Sequence, residues 1–190
     1  LIDIENSIKA AQSKGYEQWA KIHNLKQAAK TMNFLTEHKI EQYADLVSRI
    51  EEITAENEKT ADALKSVEKR LADMAVLMKH VTTYQKTKPV YEAYRRAKDK
   101  DAYRAKNESS LILHEAAAKT LKASGVTKLP NLAAMQEEYG KLQAQKEALY
   151  TDYGKLKKQV KEYDVIKQNI DNILRLEKEP ERSRETERLQ

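Results

Sequence analysis

Two stretches of the chain carry mostly apolar residues at alternating intervals of three and four. The first consists of Leu46, Ile50, Ile53, Asn57, Thr60, Leu64, Val67, Leu71, Met74, Met78 and Val81. The second consists of Leu132, Met135, Tyr139, Leu142, Lys146, Leu149, Tyr153, Leu156, Val160, Tyr163, Lys167, Ile170 and Leu174. A sustained 3.5-residue repeat is typical of helices that pack along a shared seam. The pattern therefore predicts two long helices that fold back on each other as an antiparallel coiled-coil hairpin.

The composition favours helices in the rest of the chain as well. Glycine and proline are scarce, with four and three residues, and Ala, Glu, Lys, Leu and Gln dominate. We therefore predict an all-α fold: a long antiparallel coiled-coil hairpin with a small helical cap at its tip and N-terminal helices docked at the open end. The predicted segments are 1–40 (N-terminal helices on the hairpin base), 41–88 (first arm), 89–130 (basic helical tip), 131–177 (second arm) and 178–190 (disordered tail).

Several local signals refine the elements between the arms. Gly15 is expected to end a first short helix, and Pro89 to end or kink the first arm. A separate short helix is expected at about 90–98, and Asn107 is expected to cap a helix that runs to Ala123. The helix between Tyr16 and His38 carries an apolar stripe predicted to be buried, with Trp19 and Phe34 as anchors: Trp19, Ile22, Leu25, Ala29, Met32 and Leu35.

Polar residues interrupt the first repeat at Asn57 and Thr60. In an antiparallel register that sets Val81 near Leu132, Asn57 falls close to Tyr153. A polar pair in a seam costs stability but fixes register. We expect the Tyr153 hydroxyl to satisfy the Asn57 side chain.

The basic excess of the chain lies in one place. The basic segment, residues 84–106, holds eight Lys and Arg against three acidic residues, an excess of five that equals the formal net charge of the whole chain, +5. Cations interleaved with aromatic rings are typical of surfaces that contact nucleic acid. The DNA-binding candidates are Lys86, Lys88, Arg95, Arg96, Lys98, Lys100, Arg104, Lys106, Tyr91, Tyr94 and Tyr103. For the tyrosines, base stacking and packing of the small cap both stay open.

Other chemistry finds little support in the sequence. The four histidines, His23, His38, His80 and His114, show no metal-ligand spacing, and we expect them to be solvated or at the edge of a seam. Cysteines and phosphate-binding loops are absent, and no apolar run is long enough to span a membrane. We expect a non-catalytic domain of the cytoplasm without a cofactor, metal ion, small-molecule substrate or membrane insertion.

One run of residues is more specific than these patterns. The sequence GYEQWAKIHNLKQAAKT, from Gly15 to Thr31 and continued by Phe34 and Leu35, resembles relaxases of integrative and conjugative elements in Gram-positive bacteria, the relaxase/mobilisation nuclease family. The stretches YQKTKPVY (84–91), Tyr94-Arg95 and KLP (128–130) resemble the region that follows the catalytic domain in that family. The likeness extends to about Leu176.

The resemblance implies a role without catalysis. A relaxase nicks the transfer origin with a tyrosine and a histidine-rich metal motif near its N-terminus, and neither feature occurs here. Because the first residue is Leu1, we expect a fragment: the C-terminal helical part of a relaxase in the bacterial cytoplasm. The resemblance implies assistance to transfer-origin DNA binding, relaxosome assembly or delivery to the secretion channel. The alternative is a coiled-coil interaction or spacer module that contacts relaxosome or secretion-channel proteins without touching DNA.

Overall fold

The computed structural model describes the backbone of residues 1–188 and the side chains of residues 1–175. This part of the chain folds entirely as helices joined by short connections, with no strand, which confirms the all-α prediction. In chain order the helices are α1 (Ile8–Gln12), α2 (Lys14–Glu37), α3 (Tyr43–Arg96), α4 (Lys100–Ala123) and α5 (Leu132–Arg188). The chain divides into two compact units. The first contains residues 1–59 and the residues from Tyr153 onward, and the second is Thr60–Asp152.

In the second unit, α3 and α5 run antiparallel along the predicted seam. Val67 and Leu71 of α3 pack with Leu142 of α5, and further along α3 Val81 packs with Met135. Residue numbers rise along one helix as they fall along the other, as an antiparallel hairpin requires. The fourth helix joins the same core through a buried face of its own, formed by Leu111, His114, Ala117 and Leu121.

In the first unit, three helices share one core. Leu46 of α3, Phe34 of α2 and Tyr163 of α5 form its centre. The Phe34 and Tyr163 rings meet edge to face with centroids 4.9 Å apart, a favourable aromatic geometry. At the edge of this unit the Tyr43 hydroxyl donates to Asp171 Oδ1 at 2.6 Å. The same antiparallel pairing of α3 with α5 therefore holds here.

Most of the apolar stripe of α2 that was predicted to be buried is exposed, and of its six residues Leu35 alone packs against the core of the first unit. Trp19, Ile22, Leu25 and Met32 are 53%, 55%, 72% and 55% exposed. The buried residues of α2 are Ala20, Thr31 and Phe34 instead. Thr31 accepts a hydrogen bond from Asn169 Nδ2 of α5 at 3.0 Å, so the buried contact is partly polar. Of the two predicted anchors, Phe34 is buried and Trp19 is not. A search for apolar periodicity misses this face because two of its three buried residues, Ala20 and Thr31, are small or polar.

The helix boundaries differ from the prediction at Gly15 and Pro89, the two residues that were expected to end or kink a helix. Gly15 lies in the first turn of α2, whose N-cap is Ser13, with the Ser13 hydroxyl accepting from Tyr16 N at 3.3 Å. Pro89 lies inside α3, which continues to Arg96 without a separate short helix. The helix persists because the turns after Pro89 carry Tyr91 and Tyr94, whose rings pack against neighbouring aromatic rings. Packing thus outweighs the lost amide hydrogen bond.

The fourth helix begins earlier than predicted. Its N-cap is Asp99, whose Oδ1 accepts from Ala102 N at 3.0 Å. Asn107 lies inside the helix with a non-helical backbone (φ −125°, ψ 23°), so the break occurs at the predicted residue. Its side chain does not act as the predicted cap, because Nδ2 donates to the Tyr103 carbonyl at 3.0 Å.

The second and fourth helices end in the same kind of turn. After α2, the Ile40 amide donates to the Leu35 carbonyl at 2.9 Å, and Lys39 adopts a left-handed φ of 53°. After α4, the Val126 amide donates to the Leu121 carbonyl at 3.0 Å, with Gly125 at a φ of 74°. This six-residue closure is the Schellman motif, which prefers glycine at the left-handed position. Lysine in that position carries a backbone cost that Gly125 avoids.

The hydrogen bond predicted for Asn57 is not formed. Among the residues that the structure describes, Asn57 Oδ1 is buried without any hydrogen-bond partner, and the Tyr153 hydroxyl does not donate to it. The Tyr153 ring instead lies 5.8 Å from the Lys157 ammonium.

The last helix reaches Arg188, beyond the end expected near Leu176. The tail predicted to be disordered, 178–190, falls on residues whose side chains lie outside the described part, and its last two residues lie outside it altogether. It stays a prediction.

Candidate nucleic-acid interface

The basic segment spans the end of α3 and the first turns of α4. Arg95 and Arg96 occupy the last turn of α3, where the helix dipole favours positive charge. Three residues after Arg96, Asp99 caps α4, so its carboxylate is committed to the helix N-terminus rather than to a neighbouring cation. The local structure therefore places cations at two helix ends that are close in sequence.

An aromatic ladder supports this segment from inside. The ring of His114 in α4 lies 4.5 Å from that of Tyr84 and 4.4 Å from that of Tyr91. The ladder continues from Tyr91 to Tyr94 at 6.3 Å and from Tyr94 to Tyr103 at 6.4 Å. All four tyrosines are half-buried. Of the two roles left open by the sequence, packing is the one that these contacts display.

His114 was expected at a solvated or edge position, and that expectation is wrong. The residue is 3% exposed. Its Nδ1 lies 2.9 Å from Thr87 Oγ1, and the Thr87 hydroxyl also donates to the Thr83 carbonyl at 2.7 Å. A hydroxyl has one proton, so the arrangement that satisfies all three groups has His114 Nδ1–H donating to Thr87. The spacing of Leu111, His114 and Ala117 on one helical face was the available signal for its burial.

Burial lowers the pKa of His114 below its ordinary value, and the nearby Lys88 ammonium lowers it further. A hydrogen bond to the Tyr84 backbone and the Glu115 carboxylate act in the opposite direction but do not outweigh the burial. The ring is therefore neutral near pH 7 and packs as an aromatic residue.

Two of the candidate cations have acidic partners. Arg104 makes two hydrogen bonds to Glu115, of 3.1 and 3.0 Å, and its guanidinium lies 5.8 Å from the Tyr94 ring centroid. The hydrogen bonds to Glu115 are the main cause of a raised Arg104 pKa. Lys88 pairs with Glu92 at 3.8 Å, one helical turn away. Arg104 is thus held in place, whereas the long Lys88 contact is a weak surface pair.

The other six candidate cations are exposed. Among the side chains that the structure describes, none of them forms an ion pair within 4.0 Å: Lys86, Arg95, Arg96, Lys98, Lys100 and Lys106. Their charges are not neutralised within the described fold. They are available to an external anion.

The described residues contain no group of three or more His, Asp or Glu side chains placed to hold a metal ion. Nor does any helix, over the part of the chain described, have the length and apolar character that crossing a membrane requires.

An open groove of about 630 Å³ lies between α3 and α5 of the second unit. Its walls include Leu71, Ala75, Tyr139 and Tyr150. Its rim carries an ion pair between Lys146 and Glu68, of 3.1 Å. Lys146 and Glu68 neutralise each other in this ion pair, whereas six cations of the basic segment have no acidic partner within 4.0 Å among the described side chains. We therefore place the candidate site on the basic segment.

No family model, curated protein or solved structure matches the chain.

Proposed function

We propose that this chain is the non-catalytic helical part of a conjugative relaxase and that its basic segment binds the phosphate backbone of transfer-origin DNA. Its role would be to assist origin binding and relaxosome assembly in the bacterial cytoplasm during mobilisation of a mobile genetic element.

The six exposed cations without acidic partners carry the DNA part of the proposal. Lys and Arg that neutralise phosphates release condensed counterions from DNA, and this release is a large source of affinity. Cations already paired with carboxylates would lose that partner on binding, which offsets the gain. The unpaired cations of the basic segment have no such cost.

The tyrosine ladder supports a positioning role. Because Tyr91, Tyr94 and Tyr103 pack against other rings, the proposal assigns to them the task of holding the end of α3 against α4. Base stacking needs a free ring face, and Tyr91 already stacks on His114 while the Arg104 guanidinium lies over the Tyr94 ring. We accordingly propose contact with the backbone of DNA rather than readout of its bases.

The relaxase part of the proposal rests on the sequence resemblance. The catalytic tyrosine and metal motif of that family would belong to another part of the same polypeptide. Selection of the origin would then fall to the nuclease part, and the basic segment would add affinity.

The DNA proposal is tested by reversing two of the free cations. The double variant Arg95→Glu/Arg96→Glu is expected to bind a duplex oligonucleotide at least ~10-fold more weakly at about 0.1 M salt, because two phosphate contacts become repulsive. The slope of log K against log salt should fall in magnitude by about 2, near 0.9 for each lost contact. Fluorescence anisotropy across a salt series, with origin and random duplexes, measures both quantities.

The matched control carries the same change of charge elsewhere. Lys155→Glu/Lys158→Glu reverses two exposed cations of α5, outside the basic segment. Its affinity should stay within ~3-fold of wild type, because net charge alone acts weakly at this salt. Equal losses in both variants, or no loss in the first, would refute a localised DNA contact.

The relaxase assignment needs a separate measurement. In the full-length protein that contains this chain, Arg95→Glu/Arg96→Glu should lower the mobilisation frequency of an origin-bearing plasmid while origin nicking by the nuclease part persists. Complete absence of origin nicking by the full-length protein would contradict the assignment and leave the DNA contact itself standing.

The alternative function, a protein-interaction module without DNA contact, has one observation in its favour. The apolar face of α2 is exposed rather than packed. That face leads to a separate inference.

A further inference from the structure

The second helix is apolar on two faces, of which the fold uses one. Its buried face packs Phe34 into the core of the first unit. Its other face carries four apolar residues, here named the α2 seam: Ile22, Leu25, Ala29 and Met32. Three of these are among the most exposed large apolar side chains of the described residues, at 55%, 72% and 55%. Exposed apolar patches of this kind mark interaction sites more often than chance.

The spacing of the α2 seam indicates what could cover it. Its members follow one another at intervals of three, four and three, the a and d positions of a heptad. A stripe confined to a and d is the narrow seam of a coiled coil, whereas a membrane-surface helix presents a broader apolar face. Ala29 lies in the middle of the stripe, where a small side chain allows the backbone of a second helix to approach. The fitting occupant is therefore a helix.

The residues beside the α2 seam define the charge of that helix. The heptad positions that flank a seam are e and g, and here Lys21 occupies g and Lys26 occupies e. Both are exposed. Lys21 pairs with Glu17 on its own helix, but no acidic residue lies in either flanking row. Trp19 extends the edge of the seam, stacked on His23 with centroids 5.2 Å apart.

A second copy of the chain does not fit these flanks. In a parallel pair, g contacts e of the partner, which would bring Lys21 against Lys26 of the other copy. In an antiparallel pair, e contacts e, which would bring Lys26 against itself. Like charges in these positions disfavour pairing. Either arrangement is therefore disfavoured, and the complement of the seam is acidic.

We propose that the α2 seam binds an amphipathic helix of another protein, apolar at its own a and d positions and flanked by Glu or Asp. This interaction goes beyond the proposed DNA contact and uses a different unit of the chain. The seam consists of four side chains, far fewer than the roughly 20–30 residues a side of a standard stable interface. The complex is therefore expected to be reversible.

The single tryptophan of the chain provides the signal for the test, because Trp19 lies at the edge of the α2 seam. The probe is a peptide of about three heptads with Leu at a and d, Glu at e and g, and no Trp or Tyr. Titrating it into the chain should shift the Trp19 emission to the blue and saturate in the micromolar range. The same peptide with Lys at e and g should bind at least ~10-fold more weakly.

Three variants locate the binding. Leu25→Ala, which adds no charge, should weaken binding of the Glu peptide ~3- to 10-fold, and Leu25→Glu should abolish it. Leu113→Glu changes an equally apolar, 53% exposed residue of α4 and should leave binding unchanged. Circular dichroism of each variant confirms that the helices persist.

Several results would overturn the proposal. Equal binding of the Glu and Lys peptides would show that the seam does not select a helix with acidic flanking residues. The absence of a blue shift with either peptide would show that the seam does not bind a helix of this kind. Self-association in sedimentation equilibrium that Leu25→Glu abolishes would make a second copy the occupant. A blue shift with phosphatidylcholine/phosphatidylglycerol vesicles that exceeds the shift with the peptide would make a membrane surface the occupant. None of these results alters the outcome of the DNA titration.

Discussion

At the scale of single residues, the buried Asn57 carbonyl is the clearest energetic cost in the described fold. The oxygen is shielded from water and accepts no hydrogen bond. A buried polar group without a partner costs about 1–3 kcal/mol. The residue occupies a seam position where leucine or isoleucine would add stability, so the sequence gives up stability there. A single polar seam residue is a known means of fixing register.

Replacement of Asn57 tests this cost. Asn57→Leu should raise the free energy of unfolding by about 1–2 kcal/mol, because it removes an unsatisfied polar group and adds apolar burial. Urea denaturation followed by circular dichroism measures the change. Ser66→Leu, at an exposed position of the same helix, controls for the better helix propensity of leucine and should change stability by less than ~0.5 kcal/mol. A loss of stability in Asn57→Leu would show that Asn57 is not a net cost to the fold.

His114 links the packing of α3 and α4 to pH. Its pKa in the folded chain lies below the ordinary value because the neutral ring is buried. The unfolded chain, with a pKa near ~6.5, therefore takes up a proton first as the pH falls. The contribution of the neutral His114 ring to the free energy of unfolding is complete above about pH 6.5, and it declines as the pH drops toward the folded-state pKa.

The contribution of His114 can be isolated by comparing pH slopes. Between about pH 7 and pH 5, wild type should lose more stability than His114→Gln, which carries no titrating ring. Identical slopes for wild type and His114→Gln would exclude the buried imidazole as the titrating group.

At the scale of helices, α3 passes through a residue that usually stops one. Pro89 lacks an amide proton and its ring crowds the carbonyl of Gln85, four residues earlier. The helix is held on both sides of this point by ring contacts, Tyr84 with His114 before it and Tyr91 with His114 after it. A single histidine of α4 thus bridges the weak turn.

Removing the proline should reveal the strain. Pro89→Ala is expected to raise the free energy of unfolding by about 1–3 kcal/mol, since alanine restores the hydrogen bond and the helix propensity. Ala93→Pro, one turn later on the exposed side of α3, should lower it by about 3 kcal/mol or more. Chemical denaturation of both variants gives the comparison. An unchanged free energy of unfolding in Pro89→Ala would show that the proline does not destabilise this turn.

Helices α2, α3 and α5 show which helical faces a sequence pattern can predict and which it cannot. The 3.5-residue repeat predicted α3 and α5 because their seams are apolar over many turns. The buried face of α2 could not be found that way, because Ala20 and Thr31 do not look apolar enough to mark it. The stripe on the opposite face is more conspicuous, and its spacing predicts burial that the fold does not provide. Periodicity detects an apolar face but not whether the fold covers it.

At the scale of the whole molecule, the sequence predicts where the positive charges lie. It does not predict which of those charges are already paired with carboxylates. The sequence located the excess of five positive charges in residues 84–106. It could not show that Glu115, eleven residues after Arg104, binds that guanidinium. Nor could it decide whether Tyr94 and its neighbours pack or stack, since both roles use the same composition. Tertiary contacts between α3 and α4 separate the held cations from the free ones.

The break at Asn107 divides α4 into a basic turn and an apolar body, and the pair Arg104–Glu115 spans that break. Both partners are exposed, at 40% and 44%, so dissolved ions weaken their attraction. Under the proposed function, added salt has two effects. Its cations compete with the basic segment for the DNA phosphates, and its ions weaken the Arg104–Glu115 pair that positions the basic turn. The ionic-strength dependence of binding would therefore be steeper than a count of phosphate contacts implies.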